Sequence, residues 1–284
     1  MQLGNREATL QASIGLAMAG RSGTAVVVDV QSGRILASYQ LEIAAQRLVL
    51  PGSGVKPFTL RALLAAKAIR PETRFVCPLK LNLAGHGMDC SHPRMPQPMD
   101  AASALAHSCN NYFAQFATRL DDATLVRALE QAGLTSATGF VARETIGRVQ
   151  ASPTPERHSL KALGAADLQV TPLGLLSAYR RLALARRQGT SDDALQPVFA
   201  GLEASVNLGM AHAAGVEGMA VAGKTGTVRA AEGNWTHAWF AGYAPAERPE
   251  MAVVIFLERG TGAADASPIA QGIFEAFHRL RGQP

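Results

Sequence analysis

With 284 residues, 48% of them hydrophobic and 17% charged, the chain has enough apolar material for a sizeable core, and disorder is excluded. The net charge of +5 suits the neighbourhood of an anionic surface. No run of Lys and Arg with interleaved aromatics points to nucleic acid, so no nucleic-acid partner is expected. No uninterrupted apolar stretch reaches the roughly 18 residues that cross a bilayer.

The first element expected is an amphipathic helix, because Leu10, Ile14 and Ala17 recur at helical spacing. The apolar run Ile14–Gly20 within it is too short for a membrane span. Residues 24–40 read as a hairpin: β-branched Thr24–Val30, a Gln31-Ser32-Gly33 turn and a returning Arg34–Gln40. From about 55 to 215 the pattern is helical and Ala/Leu-rich, with helices expected over Ser103–Leu120, Thr124–Ala132 and Pro172–Arg187. Surface loops are expected at Pro93–Pro98 and Arg187–Ala194. Strands resume at Met219–Val228, Thr236–Tyr243 and Met251–Leu257, and a helix over Pro268–Leu280 carries Ile269, Ile273, Phe274 and Phe277 on one face. The implied architecture is α/β (α+β). One antiparallel sheet is built from both chain ends (about 1–50 and 216–284) and flanked by helices, with an inserted all-helical lobe (about 51–215), all in a single domain over 1–284. The cleft between sheet and lobe is the natural place for a substrate.

Three short motifs occur in order. In Ser53-Gly54-Val55-Lys56 the hydroxyl and amine share one helical face. A serine needs a neighbouring base, and a lysine serves only when burial or a second cation lowers its pKa. Pro57 follows Lys56, so the helix should begin at or very near Ser53. In Ser108-Cys109-Asn110 a hydroxyl and an amide could face the cleft from a loop between helices, the one relaying a proton and the other holding a peptide carbonyl. Lys224-Thr225-Gly226-Thr227, on an expected strand, supplies the second cation and two hydroxyls for a carboxylate. Gly226 lets substrate approach closely, and the amides of Thr227 and Ser53 could stabilise an oxyanion. Singly, each motif is an ordinary surface pair, turn or strand end; in this order the three form a set.

The set resembles that of penicillin-binding transpeptidases, in the serine β-lactamase/DD-peptidase superfamily. Pro51-Gly52-Ser53 with Lys56-Pro57-Phe58, Ser108–Phe113, Val170-Thr171-Pro172-Leu173, Gly223–Thr227 and His237–Pro245 are all similar to segments of those domains. The resemblance implies a serine acyl-enzyme (DD-transpeptidase or DD-carboxypeptidase) acting on D-Ala-D-Ala peptidoglycan stem peptides and acylated by penicillin. Ser53, Lys56, Ser108 and Lys224 would be catalytic; Asn110, Thr225, Gly226 and Thr227 would bind substrate. It implies stem peptides, β-lactams and other cell-wall assembly proteins as partners, and an extracytoplasmic location, with the signal or anchor expected outside this chain. Gly54 and Val55 depart from the Thr and aromatic residue usual there. The alternatives within the fold are a β-lactam sensor, a β-lactamase or a silent scaffold. No Glu-x-x-Leu-Asn segment lies between Ser108 and Lys224, and Asn110 stands where class D β-lactamases carry an apolar residue, so β-lactam hydrolysis is disfavoured.

Cys77 and Cys90 flank a hairpin-like stretch and resemble cysteines of some family members, which leaves a disulfide open. Cys77, His86, Cys90 and His92 could instead gather zinc, but their spacing matches no common finger, and unpaired side chains are the default. Cys109 reads as a small buried hydrophobe. His107, His158 and His237 read as structural, and Trp235 and Trp239 as core or cleft wall. The sequence reading therefore assigns no metal and no cofactor.

Overall fold

The computed structural model describes residues 2–282. The continuous apolar run Met251–Leu257 becomes the middle strand of a five-stranded antiparallel sheet. In chain order the strands are β1 (Gly23–Asp29), β2 (Ile35–Tyr39), β3 (Ala222–Arg229), β4 (Thr236–Ala244) and β5 (Met251–Leu257). Their order across the sheet is β2-β1-β5-β4-β3. β1 pairs with β5 along its whole length, Val26 facing Val254, so the two chain ends close one sheet as expected.

Every residue of β5 is buried because both faces of the sheet are covered. Side chains alternate across a strand. Ala252, Val254 and Phe256 therefore join Trp239 and the helices on one face. Val253, Ile255 and Leu257 meet the other face, under α1 (Gln2–Ala17) and α10 (Ser267–Arg281), with Leu10, Ile14, Ile273 and Phe274. The amphipathic readings of both terminal helices hold, although Ala17 only borders the core that Met18 enters.

Between β2 and β3 lie α2 (Leu41–Gln46), α3 (Lys56–Ala65), α4 (Ala101–Ala106), α5 (Asn110–Ala117), α6 (Asp122–Gln131), α7 (Pro155–Ala162), α8 (Pro172–Gln188) and α9 (Gln196–Asn207). Side-chain caps set several starts: Asp121 accepts from the Thr124 amide, Thr154 from Arg157 and Thr171 from Gly174. α8 runs to Gln188 and stops at Gly189, whose φ of 68° is the left-handed cap that glycine supplies.

The structure corrects three boundaries. The single helix expected over Ser103–Leu120 is two, α4 and α5, because Ser108 takes a φ of 55° and Cys109 is extended. The strand expected from Met219 starts at Ala222, because Val216 and Met219 first close a tight turn through Gly218. The loop expected over Arg187–Ala194 is partly helical, with a 3₁₀ turn at Asp193–Leu195.

Candidate functional site

Ser53 lies in a 3₁₀ turn, Gly52–Val55, that leads directly into α3 at Lys56. The helical start expected near Ser53 is therefore present, and Pro57 occupies the first turn of α3, where its missing N–H is not needed. Long-range bonds pin this turn. The Gly52 amide donates to the Gly164 carbonyl at 3.0 Å, the Tyr179 hydroxyl to Gly54 O at 2.9 Å and Trp239 Nε1 to Leu50 O at 3.1 Å. Gly164 has a φ of 72°, and a Cβ there would sit 2.2 Å from the Gly52 carbonyl. Gly164→Ala is thus expected to displace Ser53 and to destabilise the fold by at least ~2 kcal/mol, read as a lower unfolding midpoint.

Lys56 is fully buried. Its Nζ donates to Asn110 Oδ1 at 2.5 Å, Ser108 O at 2.8 Å and Ser108 Oγ at 3.2 Å. The break between α4 and α5 is what allows this: left-handed Ser108 turns both its oxygens toward the amine, and Cys109 Sγ caps α5 by accepting from the Tyr112 amide. Burial pushes the Lys56 pKa down to about 8. The Ser53 hydroxyl, half-buried, has no hydrogen-bond partner among the described residues.

The third motif lies on β3, the edge strand of the sheet. Lys224 is fully buried and donates to Thr225 O at 3.1 Å. Burial, and after it the neighbouring Lys56 ammonium, hold its pKa well below the usual lysine range. Thr227 is exposed to the cleft, and its Oγ1 accepts from the Gly262 amide at 2.9 Å. Gly226 serves a different contact from the one expected. A Cβ there would meet Pro51 O at 2.8 Å and Gly54 N at 3.3 Å, so its bareness lets the serine turn lie against the strand.

A cleft of about 500 Å³ runs past these elements, lined among others by Ser53, Asn110, Thr227, Arg229, Met88 and Arg157. Of the eight residues singled out from the sequence, Ser53, Asn110 and Thr227 line it. Lys56 and Ser108 form the bonded cluster behind it; Lys224, Thr225 and Gly226 lie along β3. Sequence reading missed Met88, whose carbonyl accepts from Asn110 Nδ2 at 2.9 Å, and Arg157; neither belongs to a motif. A second hollow of about 480 Å³ shares Leu50, Arg157 and Arg229 with the cleft and adds Arg148.

His158 bonds Asp122 and the Ala117 carbonyl, and His237 the Glu258 carbonyl, both away from the lysines. Trp239 is core, whereas Trp235 is half-buried beneath the Arg259 guanidinium. All three cysteines are free thiols. His86 is exposed on the small Asn82–Gly87 hairpin, and the side chains that gather are Cys77, Cys90, His92 and Cys109.

The chain is 28% identical over 279 residues to the peptidoglycan D,D-transpeptidase PbpA of Mycobacterium tuberculosis, an alignment covering 82% of this chain and 55% of that protein. It therefore spans about half the length of this curated relative. Its fold superposes on the D,D-transpeptidase domain of a peptidoglycan glycosyltransferase from Eggerthella lenta with a TM-score of 0.83 at 23% identity, covering 96% of this chain and 82% of that one. Pseudomonas aeruginosa PBP2 in complex with WCK 5153 gives a TM-score of 0.83 at 22% identity, over 94% and 76% of the two chains. PBP2 of Helicobacter pylori, solved with MreC, gives 0.84 at 19%, over 95% and 62%. The family profile described as the penicillin binding protein transpeptidase domain matches residues 23–278, so the chain belongs to that family.

Proposed function

We propose that this chain is the catalytic domain of a serine DD-transpeptidase, one that acylates itself on D-Ala-D-Ala stem peptides and on penicillin. The observation that carries this reading is the buried Lys56 amine. It joins Ser108 Oγ and Asn110 Oδ1 three residues after a free serine hydroxyl, and its pKa is lowered to about 8.

An amine that donates to three acceptors is in its protonated form. Loss of one proton leaves a lone pair, and the lowered pKa makes that loss accessible near neutrality. Lys56 then takes the Ser53 hydroxyl proton as the oxygen attacks the penultimate D-Ala carbonyl carbon. The amides of Ser53 and Thr227 hold the resulting oxyanion. The C–N bond breaks, and the proton passes from Lys56 through the Ser108 hydroxyl to the leaving D-Ala nitrogen. Lys224 binds the terminal carboxylate together with the Thr225 and Thr227 hydroxyls, the carboxylate's negative charge favouring the protonated amine against its burial, and Asn110 borders the donor peptide. An amine of a second stem peptide, or water, next attacks the ester carbonyl. Lys56 accepts the incoming proton, and the proton returned to Ser53 restores the enzyme.

Arg148 and Arg229 donate to the neutral amides of Gln169 and Asn234, so the hollow beyond the cleft keeps positive charge suited to an anionic extension of the donor. In this reading the domain works outside the cytoplasm, alongside other cell-wall assembly proteins. Among the described residues no helix is long and apolar enough to cross a membrane.

A thioester analogue of acyl-D-Ala-D-Ala, offered with and without a D-amino acid acceptor, tests the reading. Release of the thiol, with acyl transfer to the acceptor, is expected. Absence of thiol release together with absence of a penicillin adduct would remove it.

A further inference from the structure

The irregular stretch between α3 and α4 brings two cysteines and a histidine to the N-terminus of α5. The Sγ atoms of Cys77 and Cys90 lie 3.6 Å apart, and those of Cys90 and Cys109 3.8 Å apart. One ring nitrogen of His92 completes a group whose ligand atoms all fall within 4.8 Å of one another. A tetrahedral zinc ion with Zn–S bonds of about 2.3 Å sets its sulfurs about 3.8 Å apart, so the two sulfur pairs already stand at coordination spacing.

The surroundings fit a ligand set better than a dry core. His92 is 3% exposed; its Nδ1 contacts the Pro93 carbonyl at 2.7 Å, and its Nε2 is buried with no partner. An imidazole whose Nδ1–H is given to a carbonyl carries its lone pair on Nε2, which is the form that binds a metal. Each sulfur accepts an N–H: Cys77 from the Leu79 amide at 3.3 Å, Cys90 from Asn111 Nδ2 at 3.3 Å and Cys109 from the Tyr112 amide at 3.4 Å. Such donors suit thiolates. A Cys77–Cys90 disulfide would use two of the four groups and leave the Cys109 thiol and the buried His92 nitrogen with nothing to bind.

We propose that Cys77, Cys90, His92 and Cys109 form a closed, four-ligand structural zinc site. Three thiolates and one imidazole select zinc among the common divalent cations, and with no open position the ion stabilises structure without activating water. A metal here departs from the sequence reading, which assigned none and which took Cys109 for a simple core residue and His86 for a candidate ligand.

The site's place in the fold gives it a consequence. Cys109 stands between Ser108 and Asn110, the two residues that hold the Lys56 amine. Asn110 Nδ2 also donates to the Met88 carbonyl, two residues before Cys90. Apart from the Asn82–Gly87 hairpin, residues 71–98 contain no paired strand or helix, and the Phe75–Met99 bridge closes the base of the stretch. A zinc ion would tie this strap to α5 and hold Asn110 from behind, so Cys109 and its fellow ligands act as positioning residues.

The test is metal content by plasma mass spectrometry of the purified chain after dialysis against zinc and then against buffer, with cobalt(II) titration of metal-free chain as a second readout. One zinc per chain is expected, with the intense visible absorption of tetrahedral thiolate-bound cobalt. Cys90→Ser, Cys109→Ser and His92→Ala should each weaken metal binding by more than ~100-fold, while His86→Ala should leave it unchanged. Because the cobalt spectrum is read on the unaltered chain, misfolding of a variant leaves the question answerable. A chain that retains no zinc and gives no thiolate–cobalt bands would overturn the proposal. So would a Cys77–Cys90 disulfide found by non-reducing mass analysis of freshly isolated protein.

Discussion

Ser53→Ala is expected to eliminate covalent labelling by penicillin, lowering the acylation rate constant by at least ~10⁴-fold. The fold should not notice. The Ser53 hydroxyl is half-buried and makes no hydrogen bond among the described residues, so its loss should change stability by no more than ~0.5 kcal/mol. The loss of labelling is thereby separable from unfolding, by running thermal denaturation on the same preparation. Labelling retained by a folded Ser53→Ala chain would place the nucleophile elsewhere.

Lys56→Met is expected to have the next largest effect, about 10²- to 10⁴-fold on acylation, because it removes the base and leaves the nucleophile. The pH dependence identifies the cause. With a pKa lowered to about 8, Lys56 is mostly protonated at neutral pH, so acylation of the unaltered chain should rise with pH through an apparent midpoint near 8. In Lys56→Met that step should be gone. Stability carries a matching sign. A lysine whose pKa falls from 10.5 unfolded to about 8 folded opposes folding fully below pH 8, and this opposition fades as pH rises toward 10.5. Across that interval the unaltered chain should therefore gain stability relative to Lys56→Met, by up to about 3 kcal/mol from this group. A pH-independent difference between the two chains would mean that Lys56 titrates normally and is not the base.

Much of the fold was legible because its signals are local or periodic. Met251–Leu257 was read to the residue, since an apolar run between turn residues has few alternatives, and covering both sheet faces explains why it does not alternate. The helix break at Ser108 was not legible as a boundary. Leu105, Tyr112, Phe113 and Phe116 keep an apolar pattern across it, and only the tertiary demand of the Lys56 amine for Ser108 O, Ser108 Oγ and Asn110 Oδ1 interrupts the helix. Gly226 was singled out for the wrong neighbour, because only the folded chain shows that the serine turn, and not open cleft, lies over it. Gly164 and Tyr179 carried no signal: they support the turn through single bonds to Gly52 and Gly54 across more than a hundred residues. The cysteine cluster was half visible. Cys77 and Cys90 stood out as a pair, but Cys109 sat inside a motif read for its serine and asparagine, and no fixed spacing links it to them.

The most direct measurement is the intact mass of the chain after incubation with benzylpenicillin, followed over time and mapped by peptide digestion. A single penicilloyl addition on the peptide containing Ser53, persisting for minutes or longer, is the predicted result. An adduct on any other residue, or none on a folded chain, would contradict the proposed acyl-enzyme, and an adduct lost within seconds would make the chain a β-lactamase in place of a transpeptidase.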